Sequence, residues 1–322
     1  MPSPRNDAPL HVVLGTGPAG ITLANLLADR GHRVRSVDRR GNGPARPEVE
    51  RVKADLSHPE AAIAATRGAA VIYHAVNVAY PLQTTLLPGI TDAILAAAEA
   101  NTARLVVLDT LYPYGTADGE AITEHSPWAA TSRKGLLRVE LDWRYLEAHR
   151  AGRVRTVMGR SADFFGPGVV NSTLGGAFFP QALTGQPAFA FGDITLPHSY
   201  SYLPDIAHGL ALLGESDRGD GLIWHLPTVP AVPTAEIHAI VASLLGTPVP
   251  VEVVPEPRPV GPFDQQFIDE YAEMFYQHRI PQNMVSAAFE DAFGARPTPL
   301  RTALADTIAW YRTFLAGWER AA

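Results

Sequence analysis

The sequence predicts an α/β protein built on a doubly wound parallel sheet, with a smaller C-terminal domain interwoven with it. Three observations predict this class. Apolar runs alternate with segments of helical apolar spacing from residue 11 to residue 160. The first turn in that alternation is glycine-rich, "GTGPAG" at 15–20. Beyond residue 160 the alternation gives way to short pieces rich in glycine, proline and aromatic residues.

The elements follow in order. "HVVL" (11–14) is a strand, and "ITLANLLADRG" after the glycine turn has the apolar spacing of a helix. "HRVRSVD" (32–38) is the next strand, and Asp38 closes it 18 residues past Gly20. Strand, G-x-G-x-x-G, helix, strand and acidic tip make up a dinucleotide-binding fingerprint. The reason is mechanical. Gly15 permits the tight turn, Gly17 lets a pyrophosphate approach the backbone, and Gly20 lets helix and strand pack closely. The helix start at Pro18 and Ala19 then turns its amides toward the phosphates. Asp38 accepts from both ribose hydroxyls and favours NAD, whereas Arg39 and Arg40 suit a 2′-phosphate. NADPH and NADH are therefore both expected to serve.

"VERVKADL" (49–56) reads as a strand, "HPEAAIAATRG" as a short helix and "AAVIYHAV" (69–76) as a buried strand. "PGITDAILAAAEAN" is helical, "ARLVVLD" (103–109) a strand, "RKGLLRVELDWRYLEAHRAG" a long helix and "RVRTVMGR" (153–160) a strand. In the second half "STLGGAFFPQALTG", "PTAEIHAIVASLLG", "PFDQQFIDEYAEMFYQHRIP" and "PTPLRTALADTIAWYRTFLAGWERAA" read as helices. "PAFAFGD" and "VPVEVVP" read as strands, and "GLIWHLP" (221–227) returns to the sheet edge. The expected domains are 1–160, joined by 196–228, for the nucleotide, and 161–195 with 229–322 for the substrate.

Composition narrows the function. Net charge is −7 with no basic stripe, so neither nucleic acid nor an anionic membrane is expected as a partner. There is no cysteine, which excludes disulfides, thiolate nucleophiles and zinc–thiolate sites. Eleven histidines are scattered without an H-x-x-x-H pair, so no metal is expected. "MPSPRNDAPL" lacks the apolar core of a signal peptide, and a cytoplasmic protein is the expectation.

Six segments together resemble the extended short-chain dehydrogenase/reductases, the Rossmann-type superfamily of nucleotide-sugar epimerases and dehydratases. They are "GTGPAG", "ADL" (54–56), "YHAVN" (73–77), "LDTLYPYG" (108–115), "GRSADFFGPG" (159–168) and "HSYSYLPDIAHGLAL" (198–212). The resemblance implies that Asp55 and Leu56 touch adenine and that Ala75, Val76 and Asn77 line the cofactor. It puts the catalytic Ser/Thr position on Thr110 and the ribose-binding lysine on Lys134. The family's acid, a tyrosine four residues before that lysine, is Ala130 here. Asp163, beside Phe164, stands where the family has a substrate-binding Asn, and His198 where it has a phosphate-clamping Arg.

A largely neutral imidazole does not fork to a phosphate as a guanidinium does. The substrate is therefore expected to be a bulky aromatic ketone in an apolar cleft. A narrower resemblance is to polyketide-tailoring ketoreductases of angucyclinone (simocyclinone) type, atypical members without the usual Ser-Tyr-Lys set. The missing acid has three available replacements: a phenol on the substrate itself, which ranks first, water held by Thr110, or a relocated tyrosine such as Tyr80 or Tyr114. Tyr112 is a further pocket candidate. A sugar-nucleotide epimerase or dehydratase, and a non-catalytic NAD(P)-binding sensor, are the alternatives. The relatives also raise a homodimer through helices 89–101 and 134–150.

Overall fold

The structure is a computed structural model that describes residues 8–116, 120–261 and 263–319. The leader reading of 1–7, the proline opening "PFDQQF" at 262 and the helix end at 320–322 lie outside the described residues. The chain divides into two compact units. The first takes in the chain up to Pro113 with Arg133–Arg160 and Ile206–Leu226. The second takes in Tyr114–Ser132, Ser161–Asp205 and the chain from Pro227 onward.

The first unit is a seven-stranded parallel sheet. Its strands are β1 (Leu10–Leu14), β2 (Arg33–Asp38), β3 (Val49–Lys53), β4 (Ala69–His74), β5 (Arg104–Thr110), Thr156–Ser161 and Ile223–His225. From one edge the order is Ile223–His225, Thr156–Ser161, β5, β4, β1, β2, β3. The order reverses between β1 and β4, and in open α/β sheets the crevice at such a point takes the ligand. β1 is buried along its whole length, as a central parallel strand covered on both faces must be.

The helices of this unit include α1 (Pro18–Asp29), α2 (Pro59–Ala65), α3 (Gln83–Asn101) and α4 (Arg133–Arg150). α1 buries Leu23, Ala24, Leu27 and Ala28, the stripe that its spacing predicts. α3 begins at Gln83 and carries Pro88 inside it, so the reading that opened this helix at Pro88 is corrected. Proline suits a helix start so well that it masked the preceding turn. β3 ends at Lys53, which moves Asp55 from the strand tip into a turn.

Arg160 lies in the strand Thr156–Ser161 and is fully buried. Its Nε donates to Asp109 at 2.7 Å, and Nη2 donates to Asp142.

The second unit is assembled from short pairs. Asp163–Phe165 runs parallel to Tyr200–Tyr202, and Ala188–Phe191 runs parallel to Val251–Val254. Pro197–His198 is antiparallel to Val232–Pro233. Its core gathers Phe165, Phe178, Phe179, Tyr200, Ile237, Leu304 and Tyr311. The helix Leu300–Glu319 packs there against Phe179–Thr184 and Thr234–Leu245.

Two helix readings are corrected in this unit. "STLGGAFFPQALTG" is helical only over Phe179–Thr184. A Cβ on Gly176 would meet the Val170 carbonyl oxygen at 2.7 Å, so these glycines serve a tightly folded turn rather than a helix. "PFDQQFIDEYAEMFYQHRIP" is α-helical over Gln265–Tyr271 and then tightens to 3₁₀ over Ala272–His278.

Candidate functional site

The glycine turn closes β1. Gly15 has φ +96°, and a Cβ there would meet the Ala75 carbonyl oxygen at 2.7 Å. A Cβ on Gly20 would meet the Gly15 carbonyl oxygen at 2.0 Å, so only glycine lets α1 start this close to the strand. Gly17 caps α1 and faces open space, with nothing within 4 Å of its would-be Cβ. No side chain caps the helix and its first turn carries no acidic residue. Pro18 is exposed and Ala19 is buried behind it. An uncapped helix start behind an unfilled glycine cradle fits a pyrophosphate.

Asp38 ends β2 and organises the adjoining loop. Its Oδ2 accepts from the Thr16 hydroxyl at 2.9 Å, and its Oδ1 accepts from the Arg40 and Asn42 amides at 2.9 and 2.7 Å. Burial works against the charge, but the Asn42, Thr16 and Arg40 donors outweigh it and hold the carboxyl below its ordinary range. Arg39 and Arg40 are exposed. An ionised carboxylate at the tip of β2 suits ribose hydroxyls and repels a 2′-phosphate. Asp55 instead closes its own turn, accepting from the Ser57 amide and hydroxyl at 3.0 and 2.7 Å, with Leu56 buried behind it.

Beyond β4, the Ala75 amide donates to the Leu14 carbonyl at 2.9 Å, which ties this segment to the end of β1. The Val76 amide donates to Nδ1 of His74 at 3.2 Å. Burial, then the charge of Arg138, lowers the His74 pKa to about 3, so the imidazole is a neutral acceptor. Asn77 Oδ1 accepts from Gln83 at 3.2 Å and from Arg138 at 3.5 Å. Sequence reasoning passed over Gln83 and Arg138, because neither belongs to a local motif.

β5 ends at Thr110, whose Oγ1 accepts from the Tyr112 amide at 3.4 Å. The Tyr112 hydroxyl lies 2.7 Å from that of Tyr80. Lys134, the second residue of α4, is only 1% exposed, and its Nζ lies 5.4 Å from the Tyr80 ring centre. Thr110, Tyr112, Tyr80 and Lys134 all belong to the first unit. Tyr114 is buried and belongs to the second unit. Ala130 precedes the first turn of α4, which starts at Arg133.

In the second unit Asp163 and His198 come together, with Oδ2 and Nε2 2.9 Å apart. Phe164 is half-buried, and its carbonyl accepts from the Ser172 hydroxyl at 2.6 Å. A residue that the sequence reading missed joins them. The ring of His278 faces that of His198, with centres 5.2 Å apart and planes at 18°, and its Nε2 is 2.6 Å from the Tyr271 hydroxyl. Burial, then the His198 charge, lowers the His278 pKa to about 3. The three residues are far apart in sequence, and no spacing rule announces them.

The sheet order, glycine cradle and acidic strand tip define a dinucleotide-binding α/β protein. The sequence pattern of the NAD dependent epimerase/dehydratase family matches residues 12–224, and the chain belongs to that family. Solved structures share the fold. The dTDP-glucose 4,6-dehydratase DesIV of Streptomyces venezuelae, a double mutant holding NAD, superposes with a TM-score of 0.79 at 21% identity, covering 97% of this chain and 99% of that one. The epimerase Mth375 of Methanothermobacter thermautotrophicus gives 0.79 at 21% identity, covering 97% and 94%. The UDP-glucose 4-epimerase of Bifidobacterium longum, with NAD⁺ and UDP, gives 0.76 at 16% identity, covering 94% and 98%. No curated protein matches the chain by sequence. Among the described residues no helix is long and apolar enough to cross a membrane.

Proposed function

We propose that this chain uses NAD(H) to exchange a hydride with a secondary-alcohol or ketone carbon of a small molecule, and that the Tyr80–Tyr112 pair beside Lys134 handles the proton. The observation that carries this reading is the 2.7 Å contact between the two phenols, one of which lies beneath the buried Lys134 ammonium. When bound, nicotinamide supplies or accepts the hydride. Gly15, Gly17 and the α1 amides hold the pyrophosphate, and Asp38 takes the ribose hydroxyls. Lys134 stabilises the negative charge left on a phenol oxygen when the proton leaves. The hydroxyl pair passes a proton along a single hydrogen bond, and Thr110 Oγ1 steadies the Tyr112 backbone.

Two substrate classes fit this chemistry. Family membership, and relatives that act on or hold UDP- and dTDP-sugars, favour a nucleotide sugar. The buried His198, already paired with Asp163 where the superfamily has a phosphate-clamping Arg, favours an uncharged ketone such as an aromatic polyketide. The deciding experiment measures NADH oxidation with aryl ketones, with and without a phenol beside the carbonyl. The same assay is run with UDP- and dTDP-sugars, scanning for epimerised or dehydrated product. Tyr80→Phe and Tyr112→Phe are each expected to lower kcat by ~10²–10³-fold with NADH affinity unchanged. If both variants keep full kcat, the proton comes from elsewhere. A rate that then tracks the substrate's own phenol assigns it there.

A further inference from the structure

We propose that Asp163, His198 and His278 form a binding site for a divalent first-row transition ion of the zinc type. One donor atom from each residue lies within 4.8 Å of the others. Two imidazoles and a carboxylate, with a remaining position for water, are a donor set that zinc and its neighbours take. Ring geometry agrees. Two imidazoles sharing zinc at about 2.0–2.1 Å in a tetrahedral arrangement hold their ring centres roughly 5 Å apart. The His198 and His278 centres are 5.2 Å apart.

Tyr271 holds Nε2 of His278, and an outer partner of this kind fixes the tautomer of a ligating histidine.

The backbone presents these donors firmly. Pro197–His198 pairs with Val232–Pro233, and the Gln282 amide donates to the Pro197 carbonyl at 2.9 Å. The Asp163 side chain is 22% exposed against 5% for His198, so an ion enters past the carboxylate. All these groups belong to the second unit, and the inference stands independently of the proposed hydride chemistry.

The test uses the full chain stripped with chelator and then titrated with Zn²⁺ by calorimetry and with Co²⁺ by visible absorption. A single saturable ion per chain, a tetrahedral Co²⁺ band and a raised melting temperature are expected. Asp163→Asn and His198→Gln should each weaken binding by at least roughly 100-fold and abolish the thermal shift. Tyr271→Phe keeps all three donors and should weaken it about tenfold. No saturable binding, only the faint spectrum of hydrated Co²⁺, or unchanged affinity in both donor variants would overturn the site. The Co²⁺ spectrum of the unaltered protein decides the matter even if a variant fails to fold.

Discussion

Among the described residues the first unit buries Arg160 between Asp109 and Asp142, and the second brings Asp163 together with His198 and His278. A guanidinium does not lose its proton at any pH the fold survives, so the first cluster has one charge state for its cation. Imidazoles change theirs within a few pH units, and they also bind metals. A carboxylate with nitrogen partners thus meets a permanent cation in the first unit, where it is buried, and imidazoles in the second, where Asp163 is 22% exposed.

The sharpest way to break this comparison is Arg160→Met. The carboxylates of Asp109 and Asp142, 2% and 1% exposed, would lose their buried cation. Chemical denaturation should show a loss of about 3–5 kcal/mol. A loss below ~1 kcal/mol would mean that the cluster behaves like a surface pair.

Acid sharpens the second half of the comparison. His278 and His74 titrate near 3 in the folded chain but near the ordinary 6.5 when unfolded. Between those values the unfolded chain binds more protons. Stability is therefore complete above about pH 6.5 and falls as the pH drops, by about 1.4 kcal/mol per pH unit for each such histidine. His278→Gln and His74→Gln should each remove one such increment from the slope measured by denaturation between pH 6 and 4.

The smallest effect concerns Asp38. Asp38→Ser removes the carboxylate from the tip of β2 and should move the NADPH-to-NADH ratio of kcat/KM about tenfold toward NADPH, close to 1.4 kcal/mol. An unchanged ratio would mean that Arg39 and Arg40 set the preference.

Legibility in the sequence divides along the same line. In the first unit the determinants are contiguous: β1, glycine turn, α1 and β2 fit in one stretch with distinct periods, and the seven strands lie where apolar runs place them. The errors there were local, such as Pro88 mistaken for a helix start. In the second unit residue 163 meets 198, and 198 meets 278, through pairings that no local pattern encodes. Spacing gave no hint that Asp163, His198 and His278 would meet, because folding supplies a proximity that spacing lacks. Tyr80 and Tyr112, 32 residues apart, are an intermediate case. Each was recognisable as a candidate phenol, but their hydrogen bond was not.

The parallel pairing of Ala188–Phe191 with Val251–Val254 bears on how the chain is made. Parallel neighbours cannot form a hairpin, so some sixty residues must be closed into a loop before the first of those bonds repays the lost entropy. The edge strand Ile223–His225 likewise reaches the large sheet only after the segment Ser161–Asp205 of the other unit has been synthesised. During translation, then, the ribosome exposes an open edge at Thr156–Ser161 while half of the second unit waits for its partners. That interval is when the chain is most open to chaperone capture or aggregation.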